Sequence, residues 1–226
     1  MTYTTVLVAL HVDLIDDKNI VDRYVKFLKE TVEKDNYKIQ TGFLGTAIVL
    51  PILSRFGLTD VAYKKLTCTE NPSWLYEILQ GATTVWEQWD AYTKANGFKH
   101  RAISLNHYSF GAAAEWIYSC AAGIKPRKAF DEFEIAPEPN RIIDSIAVEY
   151  DSESGKIVSA WKYEGDNLIF DIEIPANTVA TVKLPCGADK IVSISGKEGI
   201  ISTENGEGYT ELSVVCGKYT IITDTE

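Results

Sequence analysis

The chain has 226 residues, 46% of them apolar, which is enough for one large core or two modest ones. A formal charge of −10 with no Lys/Arg cluster argues against nucleic acid or an anionic membrane surface as partner. No apolar run reaches membrane-spanning length, and residues 1–15 lack the basic front and small-residue cleavage site of a secretory signal. Cys68, Cys120, Cys186 and Cys216 show no metal-ligand spacing, so they are expected to be buried free thiols in a reducing, cytoplasmic compartment.

The first half has helical periodicity. Residues 4–14 place Val6, Leu7, Leu10 and Leu14 close to one stripe. Residues 20–32 set Ile20, Val21, Tyr24, Val25, Phe27, Leu28 and Val32 against a charged face, and Asp16, Asp17 or Asn19 can cap the start. A small-residue turn, Thr41-Gly-Phe-Leu-Gly-Thr46, precedes residues 47–56, which are apolar on every face as an interior helix would be, with Pro51 early in it or kinking it. The Gly42/Gly45 pair is too sparse for a phosphate loop and fits close helix approach. Thr59 is expected to cap a helix to about Leu66, with Asp60 in its first turn, and Ser73 to cap another over residues 74–79, stopped by Gly81. A last helix is predicted over residues 110–122, ending at Gly123.

Between these last two helices lie two polar clusters on non-periodic segments, Gly81-Ala-Thr-Thr-Val-Trp-Glu-Gln-Trp-Asp90 and Ser104-Leu-Asn-His-Tyr-Ser-Phe-Gly111. They fit loops at one mouth of a helical scaffold. Glu87 stands between Trp86 and Trp89, with Asp90 directly after, and His107 follows between Asn106 and Tyr108. A carboxylate enclosed by indoles is partly dried and its proton affinity adjustable, and indole faces suit the C–H faces of a sugar. Equally, the tryptophans can be core and Glu87 a helix cap. Asp90 can orient Glu87 or His107, or cap the next turn. Glu115, mid-helix between Ala114 and Trp116, fits a structural role, and His11 and His100 have no partner cluster. Ser73, Ser104 and Ser109 lack a nucleophile-elbow context, and the three scattered histidines give no metal site; no cofactor is indicated.

From Glu132 the period becomes two. Ile146, Val148 and Tyr150 alternate with polar neighbours, as do Ile157, Ser159, Trp161 and Tyr163, then Leu168, Phe170, Ile172 and Ile174, then Ala180, Val182 and Leu184. Ser154-Gly155, Gly165-Asp166 and Asn205-Gly206 are turn signals, and a final strand pair is expected to meet at Gly217-Lys218. Such spacing predicts an antiparallel β-sandwich. Two domains result, residues 1–126 helical and residues 127–226 β.

Several strings occur together in one order: Thr41-Gly-Phe-Leu-Gly-Thr46, Thr59-Asp60 with Ala62-Tyr63, Pro72-Ser-Trp-Leu-Tyr76, the two clusters above, and Glu115-Trp116. Tyr150-Asp-Ser, Gly155-Lys-Ile, Ile174-Pro-Ala-Asn-Thr178 and Gly217-Lys-Tyr continue the series. Over nearly the whole chain this resembles the C-terminal part of bacterial α-L-rhamnosidases. The resemblance implies part of an (α/α)6 barrel of helical hairpins, then a C-terminal antiparallel β-sandwich, and hydrolysis of terminal α-L-rhamnosyl bonds with inversion. It further implies Glu87 as general base, with His107, Trp86, Trp89 and Asp90 at the substrate and a rhamnose-containing glycoside as partner. An inverting mechanism also needs a carboxylic acid roughly 6.5–9.5 Å from the base. In the family that acid belongs to a segment with an Arg-Asp-Glu run and a Trp-x-Gly-Asp string, and neither occurs here. The expectation is therefore a C-terminal piece with very low activity alone, which self-associates or pairs with a missing N-terminal fragment. Two alternatives stand beside it: a catalytically inactive carbohydrate-binding remnant, and part of another (α/α)6 carbohydrate enzyme.

Overall fold

The computed structural model describes residues 2–99 and 103–225, so His100 lies outside the described residues. Two compact units divide at Trp116 and Ile117.

The first unit is built of helices. α1 (Tyr3–His11) starts at Thr2, whose hydroxyl accepts the Thr5 N–H, and buries Tyr3, Val6, Leu7 and Leu10. The predicted stripe runs one turn too far: Leu14 lies past the helix end and is 74% exposed. α2 (Lys18–Lys34) is capped by Asp17, whose carboxylate accepts the Asn19 N–H at 2.8 Å. Only Leu28 and Val32 of its apolar face are buried.

α3 (Phe43–Arg55) is the interior helix, burying Val49, Leu50, Ile52 and Leu53, with Pro51 inside it. It opens four residues before the predicted start, and its first turn leaves Phe43 and Leu44 exposed. A Cβ on Gly45 would lie 2.6 Å from the Thr41 side chain and 3.3 Å from Thr4 of α1, so only glycine permits this approach. In α4 (Thr59–Leu66) Thr59 is the first helical residue rather than the cap. Leu58 occupies the cap position, and the Thr59 hydroxyl donates to Ser54 Oγ at 3.3 Å instead. Asp60 sits in the first turn and pairs with Lys64 at 3.7 Å on the surface.

α5 (Trp74–Gln80) begins at Ser73, whose Oγ accepts the Tyr76 N–H and donates to Cys68 O at 2.6 Å. Ser73→Ala removes both bonds at a buried position and is expected to cost about 1–2 kcal/mol, measured as a lower urea midpoint. The predicted helix over residues 110–122 is not one helix. It is a 3-10 segment (Tyr108–Ala112), a single α turn α6 (Ala113–Trp116), and, opening the second unit, a π turn (Ile117–Ala121). One cause is visible: Trp74 Nε1 donates to Phe110 O at 2.8 Å, taking a carbonyl that a regular helix would offer to residue 114.

The second unit carries two five-stranded sheets. One has the order β10 (Ile200–Gly206), β11 (Tyr209–Val214), β8 (Val179–Leu184), β4 (Glu132–Ile135) and β3 (Ile124–Pro126). The other runs β5 (Ser145–Ser152), β6 (Gly155–Glu164), β7 (Asn167–Ile174), β12 (Gly217–Asp224) and β9 (Ile191–Ile194). Pairing is antiparallel except β4 with β8, which is parallel. The predicted alternation holds for Ile157, Ser159 and Trp161 in β6, Leu168, Phe170, Ile172 and Ile174 in β7, and Ala180, Val182 and Leu184 in β8, which are buried. Tyr163 of β6 is half-buried, and in β5 only Val148 is buried, with Ile146 half-buried and Tyr150 exposed. Trp161 Nε1 donates to Ala121 O and Ser159 Oγ to Ala122 O, so neither polar group is left bare.

Three local expectations fail here. Asn205 and Gly206 are ladder residues facing Thr210 and Tyr209, and the chain reverses at Glu207-Gly208. The final two strands form no hairpin: β11 belongs to the first sheet and β12 to the second, and Gly217 opens β12. All four cysteines are free, but Cys68, Cys120 and Cys186 are only half-buried and Cys216 is exposed. No described helix is long and apolar enough to cross a membrane.

Candidate active site

Gly81 ends α5 at φ +103, a left-handed turn that sends residues 82–90 away without regular structure. This segment is laced to residues 103–107. The Thr84 hydroxyl donates to Leu105 O, the His107 N–H donates to Val85 O at 2.8 Å, and the Glu87 N–H donates to Ser104 O at 2.9 Å. The Ser104 N–H returns a bond of 2.9 Å to Glu87 Oε2. Glu87 and Ser104 thus clasp each other twice, which fixes the carboxylate while Oε1 keeps no partner among the described residues. A carboxylate oxygen without a partner can accept a hydrogen bond from a water.

Both indoles are engaged in aromatic packing. Trp86 is 5% exposed and meets the Tyr92 ring edge-on at 6.3 Å. Trp89 stacks on Phe110 at 4.3 Å and meets the Trp74 ring edge-on at 5.7 Å. Phe110 also touches Phe43, which stacks almost parallel on the His107 imidazole at 4.5 Å. His107 Nδ1 is buried and has no hydrogen-bond partner among the described residues. An orphaned buried nitrogen of this kind costs about 1–3 kcal/mol, so a ligand hydroxyl or a water that reaches it is favoured.

Asp90 points to another task. Its carboxylate pairs with Lys99 Nζ at 2.5 Å, beside a cavity of about 310 Å³ at the short ribbon of β1 (Tyr92–Thr93) and β2 (Gly97–Phe98). Glu115 is exposed on α6, and His11 is exposed in the last turn of α1. Ser73 is a helix cap and Ser104 acts through its backbone. Among the described residues no group of three or more His, Cys, Asp or Glu is placed to hold a metal ion.

Three contributors escaped the sequence reading. Phe43 and Phe110, from two segments, pack on each other and on His107 and Trp89, and only the fold brings them together. Glu77 is buried, and its Oε2 accepts the Trp86 N–H at 3.4 Å. A signal for Glu77 did exist: it is the one charge in Trp74-Leu-Tyr-Glu-Ile-Leu79, three residues after Trp74 and so on the same helix face.

The described residues thus form a helical unit that carries a carboxylate and an imidazole on adjoining loops, followed by a β unit. Residues 1–121 match the bacterial alpha-L-rhamnosidase 6 hairpin glycosidase domain, and residues 123–199 match the bacterial alpha-L-rhamnosidase C-terminal domain. The chain belongs to the bacterial α-L-rhamnosidase family. An α-L-rhamnosidase of Formosa agariphila is 38% identical over 186 residues, 81% of this chain and 20% of that protein. One of Streptomyces avermitilis is 31% identical over 97% of this chain and 21% of its own. The crystal structure of the Streptomyces avermitilis α-L-rhamnosidase complexed with L-rhamnose superimposes on 99% of this chain and 22% of that one, with TM-score 0.88 and 28% identity. An Aspergillus terreus α-L-rhamnosidase structure gives TM-score 0.83 at 26% identity, over 98% of this chain and 24% of that one. The chain spans about a fifth of the length of the curated relatives it matches.

Proposed function

We propose that this chain supplies the base side of an inverting α-L-rhamnosidase site acting on rhamnose-containing glycosides. Glu87 is the general base. Its open oxygen takes a proton from a water as the water oxygen bonds to the anomeric carbon and the glycosidic C–O bond breaks on the opposite face. The leaving oxygen receives its proton from a carboxylic acid outside this chain. His107 offers its unpartnered Nδ1 to a sugar hydroxyl, with Trp89 at the border of the pocket. Trp86 acts mainly by holding the loop, and Asp90 by fixing the turn after it through Lys99. The observation that carries this reading is the double clasp of Glu87 and Ser104, which anchors one carboxylate oxygen and leaves the other without a partner among the described residues.

On this reading the chain alone gives no detectable release of nitrophenol from an aryl α-L-rhamnoside, because the acid partner is absent. Mixing it with a polypeptide carrying a relative's remaining hairpins restores turnover, and the first product anomer seen by NMR is inverted. A retained anomer, or restored turnover unaffected by Glu87→Gln, would refute the assignment. A second reading, a carbohydrate-binding remnant, is favoured by the commitment of Asp90 to Lys99, which removes the nearest candidate for a substitute acid.

The same reading implies association. Leu44, Tyr108, Val12 and Ile78 of the helical unit are exposed by 80%, 88%, 58% and 59%. On this reading these side chains belong to the surface that the missing hairpins cover. Light scattering after size-exclusion chromatography is expected to show oligomers, or a complex with the fragment that supplies the acid. A clean monomer at high concentration, unchanged by that fragment, counts against it.

A further inference from the structure

The base loop is tied not only to Ser104 but also to a carboxyl group that the mechanism above does not use. Glu77 is 3% exposed; its Oε2 accepts the Trp86 N–H at 3.4 Å and its Oε1 has no partner among the described residues. It lines a cavity of about 350 Å³ with Trp74, Ile78, Thr83, Thr84 and Val85. An ionised carboxylate held there by one long hydrogen bond is costly, and a neutral acid with Oε2 as acceptor costs less. Trp86 directly precedes Glu87, so the Glu77 side chain, the Trp86 peptide and the Glu87–Ser104 clasp form one mechanical chain.

We propose that Glu77 is a positioning residue whose neutral carboxyl holds the Trp86 peptide, and through it the Glu87–Ser104 clasp. Its role in catalysis rests on Glu87 being the base; the mechanical coupling does not. Burial pushes its proton affinity up, to about 7, and the Trp86 N–H pulls it down by less. The sign of the consequence follows. Stability from neutral Glu77 is fully present below the ordinary glutamate value of about 4.3 and is lost as pH rises through about 7. Other titratable groups on the surrounding segments are Tyr76 on α5, Tyr92 on β1, and Glu87, Asp90 with its partner Lys99, and His107 on the loops.

The test is a pH series of ¹H–¹⁵N spectra of the whole chain, which requires no turnover. In the wild type the amides of Trp86, Glu87 and Ser104 are expected to move together with a midpoint near 7. In Glu77→Gln, whose amide oxygen accepts the same bond without a charge, they stay at the acid-form positions. A Trp86 amide indifferent to pH would overturn the proposal. So would a transition that persists unchanged in Glu77→Gln, which would assign it to His107. In the complemented enzyme Glu77→Ala is expected to lower kcat roughly tenfold to a hundredfold with KM little changed. Glu77→Gln keeps kcat and removes the limb near pH 7; equal losses in both variants contradict a positioning role. If the amides couple but no turnover appears in any preparation, the coupling stands and the general-base assignment falls.

Discussion

Glu87→Gln in the complemented enzyme is expected to lower kcat on an aryl α-L-rhamnoside by roughly two to four orders of magnitude, the range for loss of a positioned general base. The amide oxygen still accepts the Ser104 N–H, so the clasp of 2.9 Å survives while the open position becomes an NH2 group that cannot take a proton from water. Because a base acts on the water only as the new bond forms, the loss should fall on kcat and leave KM close to the wild type. Steady-state kinetics beside a thermal melt separate this from misfolding. A loss carried by KM, or a matching loss of melting temperature, would mean that Glu87 binds or holds structure rather than deprotonates.

The second large effect is on stability. Trp116 of α6 is fully buried; its Nε1 donates to Ser54 Oγ of α3 at 2.9 Å and its ring meets Tyr63 of α4 edge-on at 4.9 Å. Trp116→Ala opens a cavity where three helices converge and removes the indole donor to Ser54 Oγ, leaving only the longer bond from Thr59, an expected cost of about 3–5 kcal/mol. Trp116→Phe keeps most of the packing and loses the hydrogen bond, an expected cost of about 1–2 kcal/mol. Urea unfolding followed by tryptophan fluorescence distinguishes the two. Equal midpoints for both variants would show that the ring, and not the bond, carries almost nothing.

Much of this architecture is legible in residue order. The 3.6-residue period locates α1 to α5 within a few residues, because each buries one face, and Asp17, Ser73 and Gly81 mark ends by local hydrogen bonding and by a left-handed turn. Strict alternation locates β5 to β8 for the same reason. What failed depends on contacts between distant positions. The parallel pairing of β4 with β8, and the passage of the chain from one sheet to the other between β11 and β12, leave no periodic trace. The break of the predicted helix over residues 110–122 depends on an indole donor 36 residues away. The candidate site divides in the same way. Glu87 and His107 are prominent as strings, but the Asp90–Lys99 pair and the stacking of Phe43 on His107 arise only when loops fold back. Glu77 was visible as a lone charge in an apolar helix, and its meaning needed the Trp86 peptide beside it.

The pairing of an open carboxylate oxygen with an unpartnered imidazole nitrogen can be probed without any acid partner. Titrating L-rhamnose into the ¹⁵N-labelled chain is expected to shift the amides of Glu87, Ser104 and His107, and His107→Ala should abolish the response. Silence at those three amides under saturating sugar, or shifts confined to the β unit, would contradict the assignment of this loop pair as the rhamnose site.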